Sequence, residues 1–274
     1  MSNEYSQIRT AAKPSRETIN GLAKGLAVVE LFDGKRTQLT VSEAAKAIGA
    51  SRAAARRCLL TLTELGYVLR HADGKCFTPL PRLVRLGAGY GRPASLAAAA
   101  QPLLDQARDE LQDPVSLAVL DGTEVLIIAR AATTRVVTTG VHVGGRLPIY
   151  CSATGRVLTC AMPAPEQESV LSRAVPVAIT PRTTTGRAKL IRILHTASKA
   201  GVAYSDEEIE LGMRSVAVPV RAADGTVRAA VSASTSSARV TLKQLADSYR
   251  PVLLSCAAQL SGAVALLEGS TARG

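Results

Sequence analysis

The sequence predicts an α+β protein in two parts: an N-terminal winged helix-turn-helix domain, and a larger domain whose helices cover an antiparallel sheet. Three observations carry that prediction. The run LTVSEAAKAIGASRAAARRCLLTLTELGYV (39–68) reads as a short capped helix, a turn at Gly49 and a longer basic helix. Two later stretches, SLAVLDGTEVLIIAR (116–130) and RSVAVPVRAADGTVRAAVSAS (214–234), repeat one strand-turn-strand design around an Asp-Gly pair. The charge is also lopsided. Residues 1–92 hold 15 Lys and Arg against 7 Asp and Glu, net +8, whereas residues 93–274 hold 18 against 15, net +3.

Residues 1–17 read as a disordered tail. From there to residue 80 the pattern is that of the winged helix. Leu22, Leu26, Val29 and Phe32 mark a first helix. Thr40 stands three residues before Glu43, a capping-box spacing, and opens a second helix that Gly49 ends. Ser51 is a good N-cap for the third helix, whose buried stripe is expected at Ala55, Cys58, Leu59, Leu62 and Leu65. YVLR and KCFTP then flank His71-Ala72-Asp73-Gly74, a hairpin that supplies the wing. Residues 81–93 read as a linker helix through Leu83 and Leu86, loosening at Gly87, Gly89 and Gly91 and stopping at Pro93. The GAGYG stretch within it lacks the GxGxxG spacing of a nucleotide loop and follows no convincing buried strand.

Arg52, Arg56 and Arg57 sit near the N-terminus of the third helix, where the helix dipole disfavours cations. In a helix-turn-helix that end enters the major groove, so double-stranded DNA supplies the compensating charge. Arg52 and Arg56 are the candidates for reading bases, because a guanidinium can give two hydrogen bonds to guanine. Arg57 is placed at phosphate. Thr40, Ser42 and Ser51 at helix starts, Arg70 and Lys75 on the wing, and Lys24 and Ala53 complete the expected DNA face. A membrane surface is the competing polyanion for so basic a domain, and a solvated basic face is the plainer reading of any single one of these residues.

Other classes are excluded by composition. The start MSNEYSQIRT has no apolar h-region, and no run approaches the roughly 18 to 20 apolar residues of a spanning helix, so a cytoplasmic protein is expected. Cys58, Cys76, Cys151, Cys160 and Cys256 lack CxxC spacing, and His71, His142 and His195 stand far apart. They read as free thiols and isolated imidazoles, with no metal site and no cofactor. YCSATGRVLTC is rich in hydroxyls and thiols, but no GxSxG, local histidine or paired carboxylate accompanies it, so no catalytic residues are assigned.

The larger domain, 94–268, begins with a helix over SLAAAAQPLLDQARDEL, striped by Leu96, Ala100, Leu103, Leu104, Ala107 and Leu111, in which Pro102 either kinks the helix or marks its first turn. The two hairpins follow, with VVTTGVHV (136–143) read as a further strand between them. LIRILHTASKAG is a helix closed by Gly201, and TLKQLADSYRPVLLSCAAQL a helical region interrupted at Pro251. In AAVSAS, alternation sends Ser232 and Ser234 to one face and Val231 and Ala233 to the other. Small hydroxyls on one strand face suit a ligand pocket better than a solvent face, which long charged side chains usually occupy. Arg214 has two candidate partners, an acidic ligand or one of Glu207, Glu208 and Glu210.

Together LAKGLAVVELF, TVSEAAKAIGASRAAARRCLLTLTELGYV, RLPIYCSATGRVL, ITPRT and YSDEEIELGMRSVAVPV with AAVSAS resemble the IclR family of bacterial transcriptional regulators, over about residues 19–265. The third-helix run further resembles the branch that controls aromatic-acid degradation through protocatechuate and β-ketoadipate. The resemblance implies a linker helix that helps dimerise and a GAF-like C-terminal effector domain. Its cavity would be bounded by Cys151, Ser152, Ala153, Thr154 and Gly155, by Ser205, Arg214 and Ser215, and by Ser232 and Ser234. Partners implied are operator DNA, a small-molecule carboxylate effector, and a second copy in a homodimer or dimer of dimers. Cys58, where the branch often has a bulky apolar residue, and a TTTGRAKL segment poor in acids depart from its pattern. Two rival functions are a DNA-binding dimer that needs no ligand and, more remotely, a small-molecule hydrolase.

Overall fold

The computed structural model describes residues 18–32, 36–87, 96–133 and 141–271, with 265–271 described by backbone alone. The expected tail, 1–17, the linker residues Gly89, Gly91 and Pro93, and most of VVTTGVHV lie outside them. Two compact units result, one within 11–92 and one within 93–274.

In the first unit α1 (Asn20–Glu30), α2 (Val41–Ala47) and α3 (Arg52–Glu64) pack around a three-stranded antiparallel sheet of β1 (Leu39–Thr40), β2 (Val68–Arg70) and β3 (Cys76–Pro79), in the order β1-β3-β2. Val28, Ala44, Ala55, Leu59, Leu62, Val68 and Phe77 form its core. The capping box is present: Glu43 N–H donates to Thr40 Oγ1, and the Glu43 carboxylate accepts from Thr40 N–H at 2.8 Å. Ser51 Oγ accepts from Ala54 N–H, which fixes the start of α3. The β2-β3 hairpin turns through Gly74, whose φ of +67 is left-handed and favours glycine.

Two expectations for this unit need correction. Leu22 and Leu26 are 60% and 51% exposed, and the buried residue of α1 is Val28. LAKGLAVVE is apolar enough to offer two faces, and packing against α3 chose the one through Val28. Leu65 is half-exposed because it caps α3 just before Gly66 turns the chain at φ +74, so the helical period no longer directs it inward. Beyond the wing a 3₁₀ turn (Pro81–Leu83) leads into α4 (Val84–Gly87), and the Arg82 guanidinium lies 4.9 Å over the Tyr67 ring.

The second unit is built on six antiparallel strands: β4 (Val115–Asp121), β5 (Glu124–Ala131), β6 (Arg146–Pro148), β7 (Ala203–Asp206), β8 (Met213–Arg221) and β9 (Val227–Ser236). Their order is β6-β5-β4-β9-β8-β7. Both expected hairpins form, with Asp121 facing Glu124 and Arg221 facing Val227. Helices cover both faces of the sheet. On one, α5 (Leu96–Leu111) and α10 (Arg250–Thr271) bury Leu104, Leu253 and Leu260 against Leu117, Val218 and Val231. On the other, α6 (Ala153–Cys160), α7 (Ala164–Ala174) and α8 (Arg187–Ala200) bury Val157, Leu171 and Leu194 with Ala118, Ala217 and Ala230. Alternation along β9 therefore feeds two cores, with Val231 in one and Ala230 in the other.

Three further corrections concern this unit. The described end of VVTTGVHV, residues 141–143, is not a strand, and the pairing in that region is made by β6 instead. Pro102 lies inside α5, six residues past its described start, so it does not mark the first turn. The last helix is not interrupted at Pro251. α9 (Leu242–Gln244) passes into one π-turn, Leu245–Tyr249, and α10 then runs through Pro251 in its first turn. Proline lacks the N–H that helical bonding needs, and the looser π-turn just upstream lets the chain continue.

Candidate functional site

The first site is the leading end of α3. Ala55, Leu59 and Leu62 anchor its back in the core, while Ser51, Arg52, Ala53, Arg56 and Arg57 are exposed on its front. Arg56 and Arg57 bond to no described residue, so their donors are available to a partner. Arg52 Nη2 donates to Ser42 Oγ at 2.9 Å, which ties the starts of α2 and α3 together on one side. Thr40 spends its hydroxyl on the helix cap, accepting from Glu43 N–H and donating to the Glu43 carboxylate, whereas the Ser51 hydroxyl only accepts, from Ala54 N–H, and keeps its proton for another acceptor. Lys24 is half-buried on α1. On the wing Lys75 is exposed, and Arg70 is exposed but folded back, its Nε donating to Gly74 O at 3.3 Å. Backbone N–H groups of Lys75 and Cys76 hold the Asp73 carboxyl below its usual range, and Thr40 does the same for Glu43, its backbone N–H contributing most.

The second site is a cleft of about 580 Å³, its open mouth included, on the α6 side of the sheet. Cross-strand register assembles its wall. Ser205, Ser215 and Ser234 stand opposite one another on β7, β8 and β9, and Ser116 faces Ser232 across β4 and β9. Ile127, Val141, Leu147, Ile209 and Met213 supply apolar surface. From α6 come Ser152, Ala153 and Thr154. Thr154 is 2% exposed and its Oγ1 meets no hydrogen-bond partner. A buried hydroxyl without a partner is costly in a sealed interior and is at home on a ligand site.

Not every expected effector residue reaches this cleft. Within Cys151 to Gly155, Ser152 caps α6, accepting from Gly155 N–H at 3.0 Å and donating to Pro148 O at 2.6 Å. Cys151 is fully buried in the core behind the wall, where burial pushes its thiol up to about 12. A thiol so protonated is a poor nucleophile. Gly155 turns toward Ile149, whose backbone any side chain at 155 would strike. Arg214 does line the cleft, but its partner is none of the three expected glutamates. It faces Asp206 across β7 and β8 and donates to that carboxylate, and also to Ser237 O at 3.3 Å and Val240 O at 3.0 Å.

Sequence reasoning missed two ionic clusters in this unit, one wholly buried on the α6 side of the sheet and one around the buried Asp113 on the α10 side. Arg156 on α6 forms a two-pronged pair with Glu208, Nη1 to Oε1 at 2.6 Å and Nη2 to Oε2 at 2.8 Å. Its remaining donors reach Tyr150 O and Tyr204 O, and Glu208 also accepts from Thr184 N–H at 2.9 Å. Asp113, fully buried after α5, accepts from Arg239 and from the Tyr249 hydroxyl in the π-turn. The one available signal was a lone arginine in the otherwise small and apolar SATGRVL. Among the described residues no His, Cys, Asp and Glu cluster could hold a metal, and no helix is long and apolar enough to cross a membrane.

A basic winged helix-turn-helix, followed in the same chain by a sheet domain with a hydroxyl-lined cleft, defines a DNA-binding transcription regulator with a ligand domain. Two family profiles match: "IclR helix-turn-helix domain" over residues 21–72 and "Bacterial transcriptional regulator IclR C-terminal" over 90–262. The chain belongs to the IclR family of bacterial transcriptional regulators. It is 38% identical to the Pca regulon regulatory protein of Pseudomonas putida, over 88% of this chain and 83% of that one. It is 34% identical to the p-hydroxybenzoate hydroxylase transcriptional activator of Acinetobacter baylyi, over 91% and 93%. Among solved structures, an IclR homolog from Microbacterium hydrocarbonoxydans complexed with 4-hydroxybenzoate is 28% identical, with a TM-score of 0.74 over 89% of this chain and 98% of that one.

Proposed function

We propose that this protein is a ligand-gated regulator: the α3 front reads operator DNA, and the cleft binds a small aromatic or dicarboxylic acid. Arg56 and Arg57, exposed and unengaged among the described residues, support the DNA half. Arg52 reads bases after releasing Ser42, whose hydroxyl then turns to the backbone; Arg70 and Lys75 hold the flanking phosphates. The observation that carries the ligand half is the row of Ser205, Ser215, Ser232 and Ser234 facing the unpartnered Thr154 hydroxyl. The 4-hydroxybenzoate bound to the Microbacterium homolog supports an acid as the ligand class. Boundaries of 18–80, 81–93 and 94–268 fit this division of labour, and a homodimer would place two heads on two half-sites.

A ligand moves such an equilibrium only by its differential affinity for two arrangements, typically about 1–3 kcal/mol. Thermal shift with 4-hydroxybenzoate, 3-hydroxybenzoate and adipate, repeated with a duplex selected from a random pool, tests both halves. One acid should raise the unfolding temperature in a concentration-dependent way and change duplex affinity. If no acid does, the cleft is not a sensor. On the selected duplex, Arg56→Ala should cost about 1–3 kcal/mol and relax preference at one base pair. Gel shifts showing unchanged affinity and preference would remove Arg56 from the interface.

A further inference from the structure

One end of the cleft has a hydrogen-bond polarity fixed from the neighbouring strand. Arg130 on β5 stands opposite Ser116 on β4, and its Nη1 donates to Ser116 Oγ at 2.7 Å. Ser116 is 3% exposed and lies on the cleft wall, with Ser232 directly across from it on β9. A guanidinium has donors only, whereas a serine hydroxyl has one proton and two lone pairs. The bond therefore runs one way. Ser116 spends a lone pair on Arg130, and its own proton remains for an acceptor. A cation bonded to the hydroxyl oxygen polarises that O–H and strengthens it as a donor. Arg130 is half-buried, and burial lowers its pKa, but an arginine stays charged throughout the physiological range. Arg214, the arginine on the wall itself, is engaged by Asp206 and two backbone carbonyls.

We propose that Arg130 is a positioning residue which, through Ser116, makes the β4-β9 end of the cleft the place that receives the effector's carboxylate. Ser116 donates to a carboxylate oxygen, and Arg214, further along the same sheet on β8, pairs with Asp206. The proposal rests on the acid-binding reading above and adds which residues select for the ionised acid. A neutral carboxamide of the same shape gains less from the cation and turns an N–H donor toward hydroxyls already set to donate.

Calorimetry on the full-length protein with two probe pairs, 4-hydroxybenzoate with 4-hydroxybenzamide and adipate with adipamide, reads the ratio of acid to amide affinity. Wild type should favour the acid of a binding pair by at least about tenfold. Ser116→Ala and Arg130→Gln should each cut that ratio about tenfold, and the double variant no further, because one acts through the other. Arg130→Lys should restore part of the ratio, and Arg187→Gln, at an exposed α8 arginine outside the cleft that pairs with Glu168, should leave it near the wild-type value. Damage to the fold would weaken acid and amide alike without moving the ratio. Should Arg130→Gln not fold, Ser116→Ala and Arg130→Lys decide. An unchanged ratio in Ser116→Ala, or a wild-type ratio near one, overturns the proposal while leaving the acid-binding reading intact. Failure of wild type to bind either acid overturns both.

Discussion

Arg156 shows how much one side chain can hold in this protein. Each of its three nitrogens is bonded inside, with two bonds to Glu208 and one each to Tyr150 O and Tyr204 O, and the side chain is 3% exposed. Removing one partner of a buried pair strands the other charge in a poor solvent, which outweighs whatever net stability the pair supplied. Arg156→Met should therefore lower stability by about 3–5 kcal/mol in urea unfolding. Arg156→Met with Glu208→Leu should recover much of that loss. A single variant within about 1 kcal/mol of wild type would show that Glu208 finds water or another donor instead. Burial likewise keeps Cys151 protonated, so the thiol in that run of Cys, Ser and Thr is a poor nucleophile.

Among the elements, α3 and α6 are set in place by the same device. Each begins at a serine whose hydroxyl accepts from the N–H three residues on, Ser51 from Ala54 and Ser152 from Gly155. A cap fixes where a helix begins and so fixes what its first turn presents. For α3 that is the arginine front; for α6 it is Thr154 at the cleft. Ser51→Ala should cost about 1 kcal/mol in stability. It should also weaken duplex binding beyond that of a distant surface variant, because the first turn frays where Arg52 sits. Equal duplex affinity for Ser51→Ala and wild type, by fluorescence anisotropy, would separate the cap from recognition.

Across the molecule as a whole, the buried thiols set an alkaline limit on stability. Burial raises Cys151 to about 12, and Cys160 and Cys256 to about 11, from the usual 9.0. These groups ionise in the unfolded chain before they do in the folded one. Their contribution is therefore fully present below about pH 9 and is lost as pH climbs through about 11 to 12. The urea midpoint should hold between about pH 7 and 8.5 and fall by about pH 10, and replacing Cys151 with alanine should flatten part of that fall. A midpoint independent of pH up to about 10 would mean the thiols are not carrying it. Duplex affinity should in turn fall steeply with added salt, since the basic excess sits in the first 92 residues.

The order of the parts is written along the chain. Capping residues, Asp-Gly turns and the period of apolar side chains are local properties, and local rules place α2, α3, the wing and both hairpins. The chain also showed that Ser232 and Ser234 share a strand face, because alternation needs no partner. Packing settled everything that depends on which distant residues meet. Val28 won over Leu22 and Leu26 when α1 docked on α3. Arg214 found Asp206 through cross-strand register, and Arg156 found Glu208 across 52 positions of chain. Ser116 joined the cleft wall, and Arg130 came to bond it, because β4 pairs with β9 on one side and β5 on the other. Charge and hydroxyl groups can be counted along a chain, but their partners are chosen by packing, which no local pattern encodes.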